Sequence, residues 1–166
     1  MTMPAQKPGK SKQDYRTPDN FIEAVKRKFG PLFHDLAANT LNRQCASYWG
    51  PDGHVIDSLE TDWNLKVPDG EWCWLNPPFS NIAPWAEKCA ESTIPILFLV
   101  PAAVGANWFR DHVDGKAFVY ALNGRLAFDP DHPKWGYPKD CMLCVYDAPG
   151  LRQYGPGFTV WSWREK

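Results

Sequence analysis

The sequence lacks the features that mark several broad classes of protein. It contains no run of about 18 apolar residues, so it predicts no helix that spans a bilayer. The segment from Met1 to Lys12 lacks the apolar stretch of a signal peptide. Five cysteines, an odd number at irregular spacing, favour a reducing cytoplasm over a disulfide framework. We therefore expect a cytoplasmic protein with no membrane partner.

Signatures of metal binding and of several enzyme classes are also missing. The four histidines have no metal-ligand spacing, and no GxSxG, P-loop or paired-carboxylate signature occurs. Cys141 and Cys144 form a CxxC motif, but their segment has the pattern of a strand, on which residues three apart face opposite sides. Structural zinc sites need four converging ligands, and no second CxxC follows. We predict no metal site.

Charge gives little indication of a partner, because the net charge is −1. Positive charge is concentrated near the start, where residues 1–16 hold three lysines and one arginine against one aspartate. Residues 1–14 are predicted to be a disordered basic tail, and 15–166 to be one domain, the number expected for 166 residues. The tail could contact phosphates or could simply be solvated.

The order of predicted elements indicates an α/β fold. Thr17-Pro18-Asp19 favours a helix start with Thr17 as a possible cap, and apolar residues then recur at helical spacing until Gly30. Segment 40–49 is predicted to be helical and 51–53 a turn. Further predictions are strands at 31–36, 54–56, 72–75, 95–100, 117–121, 126–128, 142–146 and 158–163, and helices at 84–91 and 108–113. Helices and strands alternate in the front half, whereas strands dominate the back half, so we expect a mostly parallel sheet with an antiparallel edge.

Asn76-Pro77-Pro78-Phe79 is the most informative segment of the sequence. The two prolines stiffen the end of a predicted strand and leave their carbonyls free as acceptors. The Asn76 side chain adds another carbonyl oxygen, and Phe79 adds a flat face. Two acceptors and a stacking wall suit an exocyclic amine on a planar base, and open α/β sheets bind ligands beyond the carboxyl ends of their strands. An ordinary turn is the alternative interpretation.

Three further segments are candidate binding elements. Asp35 ends a predicted strand and is followed by the small Ala37 and Ala38, which allow a cofactor to approach the backbone. Asp57 lies in an acidic loop that could bind a ribose or an adenine amine, although most such acids are only solvated. Arg125 follows Gly124 between two extended segments and is a plausible phosphate contact.

In these residues and their order, the chain resembles the phage DNA N-6-adenine methyltransferase (Dam) family. The likeness runs from about Tyr15 to Tyr146, and its order and spacing are more specific than any single motif. It rests on Tyr15-Arg-Thr-Pro18, Asp35-Leu-Ala-Ala38 with Asn42, Asp57-Ser-Leu59 with Asp62-Trp63, Leu75-Asn-Pro-Pro-Phe-Ser80 with Trp85, Leu99-Val-Pro-Ala102 with Trp108-Phe109, and Gly124-Arg-Leu-Ala-Phe128.

The resemblance implies a Rossmann-like methyltransferase fold, S-adenosylmethionine as methyl donor, and adenine in double-stranded DNA as acceptor. It implies that residues 76–79 are catalytic. The cofactor would be bound by Tyr15, Thr17, Pro18, Asp35, Ala37, Ala38, Asp57 and Asn76, and DNA would be contacted by Ser80 and Arg125. If a phage encodes the chain, the host cytoplasm is its expected location. The oligomeric state stays open.

Two departures from the family pattern keep alternatives open. No GxG follows Asp35, and the sequence shows no separate target-recognition domain. An amino-group methyltransferase acting on RNA or protein would use a similar motif. A non-catalytic nucleic-acid-binding module on a decayed methyltransferase scaffold would also explain the missing glycines.

Overall fold

The computed structural model describes residues 15–128, 137–147 and 155–164. The predicted tail at residues 1–14 lies outside the described residues. The four helices found in these ranges are α1 (Asp19–Phe29), α2 (Trp63–Lys66), α3 (Ala83–Glu91) and α4 (Asn107–His112). The seven strands are β1 (His34–Asp35), β2 (Ser47–Tyr48), β3 (Cys73–Leu75), β4 (Ile96–Pro101), β5 (Phe118–Leu122), β6 (Cys141–Tyr146) and β7 (Gly157–Trp161).

The strands form one sheet in the order β2-β1-β3-β4-β6-β5-β7. β1 pairs in parallel with β2 and β3, β3 pairs in parallel with β4, and β5 pairs in parallel with β7. β6 is antiparallel to both of its neighbours, β4 and β5. The α/β class and the mostly parallel sheet are therefore confirmed. The predicted antiparallel edge is wrong, because the antiparallel strand lies inside the sheet and both edge strands are parallel to their neighbours.

Helices cover both faces of the sheet, which explains why its central strands are apolar without alternation. Every residue of β4 and of β6 is buried. Along β4, Ile96, Phe98 and Val100 face the layer of α3, whereas Leu97 and Leu99 face the layer of α1. Strands buried on both faces are typical of parallel α/β sheets. The structure is a single domain of three layers, with the sheet in the middle.

α1 shows how the local sequence sets one of these layers. Phe21, Ile22 and Val25 lie on one side of the helix and are buried. Each buried side chain of this size contributes about 1.5–3 kcal/mol relative to exposure. The helix ends where predicted, at Gly30, whose φ of 98° is a conformation that other residues rarely adopt. Its N-cap is Pro18, which forms no side-chain cap hydrogen bond, so the predicted cap role of Thr17 is wrong.

The predicted helix over 40–49 is also wrong, because local side chains hold that backbone in turns. Asn39 Oδ1 accepts from the N–H groups of Leu41 and Asn42, and Asn42 Oδ1 accepts from Asn39 N. Such bonds compete with the helical ladder. The segment ends in β2, and the turn predicted at 51–53 is present. The strand predicted at 54–56 is reduced to a single β-bridge between Trp49 and Val55. Residues 126–128 form no strand, and α2 was not predicted.

The cysteines of this protein form no disulfide bonds in the fold. All five cysteines are free and buried. Burial raises the pKa of Cys45 and of Cys141 to about 12, so these thiols stay protonated at neutral pH. Within the described parts of the chain, no helix has the length and apolarity needed to cross a bilayer.

Candidate functional site

A cavity of about 330 Å³ lies where the connections of the sheet change direction. The chain runs from β1 to β2 on one side and then returns to place β3 on the other side of β1. In open α/β sheets, the crevice beyond the carboxyl ends of two such strands is the usual ligand site. The cavity is lined by Tyr15, Thr17, Asp35, Ala37, Ala38, Asn39, Asn42, Trp49, Gly50, Pro51, Ile56, Asp57, Ser58, Leu59, Trp74, Asn76, Pro78 and Trp85.

Asn76 follows β3 directly, and its amide is oriented by the segment before α1. Its Nδ2 donates to Thr17 Oγ1 over 3.0 Å and to the Tyr15 carbonyl over 3.5 Å. A carbonyl only accepts, so this network assigns the nitrogen of the amide to the side of Tyr15. Among the described residues, none donates a hydrogen bond to Asn76 Oδ1. An acceptor at the wall of the cavity is therefore available to a ligand.

Thr17 connects the two sides of the site. Its side chain is buried, and its carbonyl accepts from Gln44 Nε2 over 3.0 Å while its hydroxyl accepts from Asn76. The neighbouring Arg16 donates to the Arg43 carbonyl over 2.9 Å. These bonds attach the segment before α1 to the loop between β1 and β2 and to the motif after β3. The sequence placed Thr17 at the site, but the structure gives it a different hydrogen bond from the predicted cap.

Asp35 ends β1 and is almost fully buried at the cavity. Its Oδ2 accepts from Gln44 N over 2.9 Å, and its Oδ1 accepts from Ala37 N over 3.4 Å. Burial raises the pKa of Asp35 to about 7, against the opposing effects of these two hydrogen bonds and of the charge on Arg16. A carboxyl group in the wall of the cavity thus changes charge near neutral pH.

One part of the cavity wall is closed by a backbone contact that no motif in the sequence predicted. Ala38 N donates to the Trp49 carbonyl over 2.9 Å, and Gly50 follows directly. A Cβ atom on Gly50 would lie 1.9 Å from the Ala38 carbonyl oxygen, and this clash excludes any residue other than glycine unless the backbone moves. The close approach at this wall is thus one between two backbone segments, at Ala38 and at Gly50.

The acidic loop contributes Asp57 and Ser58 to the cavity. Asp57 is exposed, and its Oδ1 accepts from the N–H groups of Leu59 and Glu60, so this carboxylate stabilises its own loop. Asp62, in the same loop, accepts from Asn64 N and caps α2. Ser58 is 5 % exposed, and its Oγ has no hydrogen-bond partner among the described residues.

The remaining motif residues lie beside the cavity. Pro77 is buried and Pro78 lines the wall, whereas Pro18 caps α1 and lies outside the lining. Phe79 is half-buried and also lies outside the lining. Its ring contacts Phe128 and Tyr137 edge-to-face, with centroids 5.9 and 5.6 Å away. Tyr137 was not predicted from any motif in the sequence.

The two predicted DNA contacts are both exposed. Ser80 lies in the turn that follows Phe79. Arg125 forms an ion pair with Asp140 over 3.3 Å, and its carbonyl accepts from Arg164 over 2.9 Å. Neither residue lines the cavity. Their contacts with DNA stay a prediction, and it concerns the exposed surface rather than the pocket.

Several lining residues carried no motif of their own. Trp49, Gly50 and Ile56 come from segments whose course only the fold defines. Asn42, Leu59 and Trp85 do lie in the segments that carried the family resemblance. Among the described residues, no cluster of three histidine, cysteine or carboxylate side chains is arranged to hold a metal ion.

A small-molecule cavity at the switch point of a mostly parallel sheet defines the class of α/β ligand-binding domains. Within that class, residues 5–141 match the model of the family described as DNA N-6-adenine-methyltransferase (Dam), and the chain belongs to this family. It is therefore a member of a methyltransferase family, and such families use S-adenosylmethionine as methyl donor.

Two curated proteins are similar to this chain. The DNA N-6-adenine-methyltransferase of Haemophilus phage HP1 (strain HP1c1) is 26% identical over 99 residues, which are 57% of this chain and 53% of that protein. The Escherichia coli (strain K12) protein named "Putative methyltransferase YfdM" is 31% identical over 72 residues, which are 43% of this chain and 71% of that protein. The match to the phage protein thus spans about half of the length of that relative.

Proposed function

We propose that this protein transfers a methyl group from S-adenosylmethionine to the N6 amine of adenine in double-stranded DNA. The observation that carries the proposal is the placement of Asn76, whose amide is oriented by Thr17 and Tyr15 at the edge of the switch-point cavity. We further propose that the fold is the Rossmann-like methyltransferase fold. The parallel order of β2, β1, β3 and β4 and the position of the cavity support it.

The residues around the cavity fit the proposed cofactor. Its volume of about 330 Å³ lies in the range of small-molecule sites. Tyr15, Thr17, Asp35, Ala37, Ala38, Asp57 and Asn76 would hold S-adenosylmethionine, together with Pro18 through its fixed position before α1. When bound, this cofactor supplies an electrophilic methyl group on a positively charged sulfur. An ionised Asp35, almost fully buried in the cavity wall, favours a positive charge nearby.

The chemistry proposed for the motif is the recognition of an amine by two acceptors. The lone pair of an aromatic amine is delocalised into its ring, so the nitrogen is a weak nucleophile. Asn76 Oδ1 and the Pro77 carbonyl accept the two amine hydrogens and localise the lone pair. The Pro78 carbonyl already accepts from Asn81 N over 3.3 Å, which closes the turn after the motif. These fixed dipoles stabilise the positive charge that develops on the nitrogen during transfer.

Phe79 is proposed to bind the base after it leaves the duplex. Extrusion of a base costs a few kcal/mol, and stacking on an aromatic ring returns about 1–3 kcal/mol. The edge-to-face contacts with Phe128 and Tyr137 hold the plane of the Phe79 ring, so little entropy is lost when a base stacks on it. Ser80 and Arg125 are proposed to contact the DNA backbone around this point.

A methyl-transfer assay with identification of the modified nucleoside tests the proposal. Wild type should label unmethylated DNA and yield N6-methyladenine. Asn76→Ala should bind the cofactor but lose about 10²–10³ in turnover, because one preorganised group is removed. Asn123→Ala is the matched control, since Asn123 is exposed and lies outside the cavity lining.

Other products of the same assay separate the alternatives. Undiminished turnover by Asn76→Ala would remove Asn76 from the catalytic centre. Label in RNA or protein instead of DNA would keep the chemistry but change the substrate class. A folded wild type that binds no S-adenosylmethionine would support the non-catalytic alternative.

A further inference from the structure

The last three strands bring segments distant in sequence to the edge of the sheet where the candidate site lies. β3 and β4 are parallel, so their carboxyl ends lie at one edge. β6 begins beside the carboxyl end of β4, and β5 and β7 both end beside the start of β6. Residues 123–128, 137–140 and 162–164 therefore lie at the same edge of the sheet as the motif at 76–79.

Arg164 lies in the segment after β7 and is held against the turn formed by Gly124 and Arg125. Its Nη2 donates to the Arg125 carbonyl over 2.9 Å, and its Cζ lies 4.9 Å from the centroid of the Trp163 ring. Trp163 is itself buried, and its Nε1 donates to the Gly124 carbonyl over 3.1 Å. Contact with an aromatic face orients a guanidinium group. The exposed Arg164 therefore presents its charge at a defined place beside Arg125.

Positive charge at this place exceeds the negative charge that the nearby carboxylates supply. Arg125 pairs with Asp140 over 3.3 Å, and the two side chains are 57% and 71% exposed. Exposed ion pairs are weak, so a phosphate can take the place of Asp140 at little cost. Among the described residues, no carboxylate forms an ion pair with Arg164. Lys139, next to Asp140, adds a further exposed positive charge.

The two arginines are close to the ring on which the extruded base is proposed to stack. The Phe128 ring contacts the Phe79 ring, with centroids 5.9 Å apart, and Phe128 lies three positions after Arg125. Three residues span at most about 11 Å. The phosphates of one DNA strand follow one another about every 3.4 Å along the helix axis. Arg125 and Arg164 are therefore within a few nucleotides of a base at Phe79.

We propose that Arg164 and Arg125 together bind backbone phosphates of the DNA strand that carries the target adenine, next to the extruded nucleotide. The inference rests on the proposed function and deepens it by assigning a second phosphate contact. Arg164 lies beyond residue 141, where the match to the family model ends. A guanidinium group binds phosphate oxygens through two parallel N–H donors. Such a contact positions the duplex but does not read its bases.

The test measures how the affinity for DNA depends on salt concentration. Fluorescently labelled, unmethylated duplexes of two unrelated sequences are titrated with wild type, Arg164→Gln, Arg164→Lys and the double variant Arg125→Gln/Arg164→Gln. Arg27→Gln is the matched control, because it removes the same charge from an exposed side chain in the last turn of α1, at the far end of that helix from Thr17. Calorimetry with S-adenosylhomocysteine reports separately on the cofactor site.

For Arg164→Gln we expect DNA affinity to fall about tenfold at about 0.1 M salt, equally for both sequences. The slope of the logarithm of the association constant against the logarithm of salt concentration should decrease by about one, and by about two in the double variant. Arg164→Lys keeps the charge and should keep most of the slope. Arg27→Gln should match wild type, and every variant should bind S-adenosylhomocysteine as wild type does.

Three outcomes overturn the inference alone: unchanged affinity and slope in Arg164→Gln, weaker affinity with an unchanged slope, or an equal loss of slope in Arg27→Gln. Equal slopes in Arg164→Gln and the double variant also overturn it, because Arg164 would then only position Arg125. So does a loss of slope in Arg164→Lys as large as that in Arg164→Gln. A folded wild type that binds S-adenosylhomocysteine but no DNA overturns the proposed substrate as well, which distinguishes the two failures.

Discussion

Replacing Asp35 with asparagine should remove a pH dependence of folding stability that the wild-type protein carries. Burial raises the pKa of Asp35 from 3.8 to about 7 in the folded chain. Between pH 3.8 and about pH 7, the folded protein holds a proton on Asp35 that the unfolded protein has released. The stability contributed by this proton is present below pH 3.8 and is lost as pH rises toward about 7.

The magnitude follows from the size of the pKa shift. One pKa unit corresponds to about 1.4 kcal/mol, so the shift of Asp35 amounts to about 4 kcal/mol over the full range. Between pH 5 and 7, the wild type should lose roughly 2–3 kcal/mol of unfolding free energy relative to Asp35→Asn. Urea unfolding followed by tryptophan fluorescence at several pH values measures this difference.

Binding should show the opposite dependence on pH. Ionised Asp35 favours a cationic ligand, so the affinity for S-adenosylmethionine should rise as pH increases through about 7. The same titration with Asp35→Asn should be flat, and affinity should be at least tenfold lower at pH 8, about 1.4 kcal/mol. If wild type and Asp35→Asn gave parallel stability profiles and parallel binding profiles, Asp35 would not titrate in this range and the reasoning would be refuted.

Two further substitutions test the packing around the site. Gly50→Ala should cost at least about 2 kcal/mol in urea unfolding, because its Cβ would clash with the Ala38 carbonyl. Gly105→Ala, where nothing lies within 4 Å of the added atom, is the control, and equal stability of the two variants would contradict the close approach. Tyr137→Ala should weaken productive DNA binding severalfold at unchanged cofactor affinity, while Tyr137→Phe keeps the ring that orients Phe79 and should behave as wild type in the methyl-transfer assay. Equal DNA binding by Tyr137→Ala and Tyr137→Phe would show that the ring has no such role.

The sequence predicted best the elements whose signals are local. α1 has apolar residues at helical spacing and a glycine at its end, and β4 is a short apolar run, so both were found close to their observed bounds. The helix predicted at 40–49 is absent because the side chains of Asn39 and Asn42 accept hydrogen bonds from nearby backbone N–H groups. In the same segment, the Gln44 N–H donates to the Asp35 side chain. The predicted antiparallel edge was wrong for a different reason: β6 lies inside the sheet, and the position of a strand in a sheet depends on contacts distant in sequence.

In the candidate site too, single residues could be predicted from the sequence, whereas the contacts between distant segments could not. Asn76 and Thr17 were each predicted from their own segments, but the hydrogen bond between them joins residues 59 positions apart. The contact between Ala38 and Gly50 and the unpaired hydroxyl of Ser58 depend on how loops pass one another. No local pattern encodes such contacts. The sequence could therefore name Asp57 and the residues at the carboxyl ends of β1 and β3, but not the contacts that close the cavity around them.

The bond from Asn76 to Thr17 also bears on how this protein should be engineered and screened. Tyr15 and Thr17 lie at the cavity, so a tag or fusion partner joined immediately before them would emerge beside the cavity. In a random mutagenesis screen, substitutions of Thr17 should score as loss of activity even when the motif at 76–79 is intact. Serine, which keeps the hydroxyl, should be the replacement that survives selection.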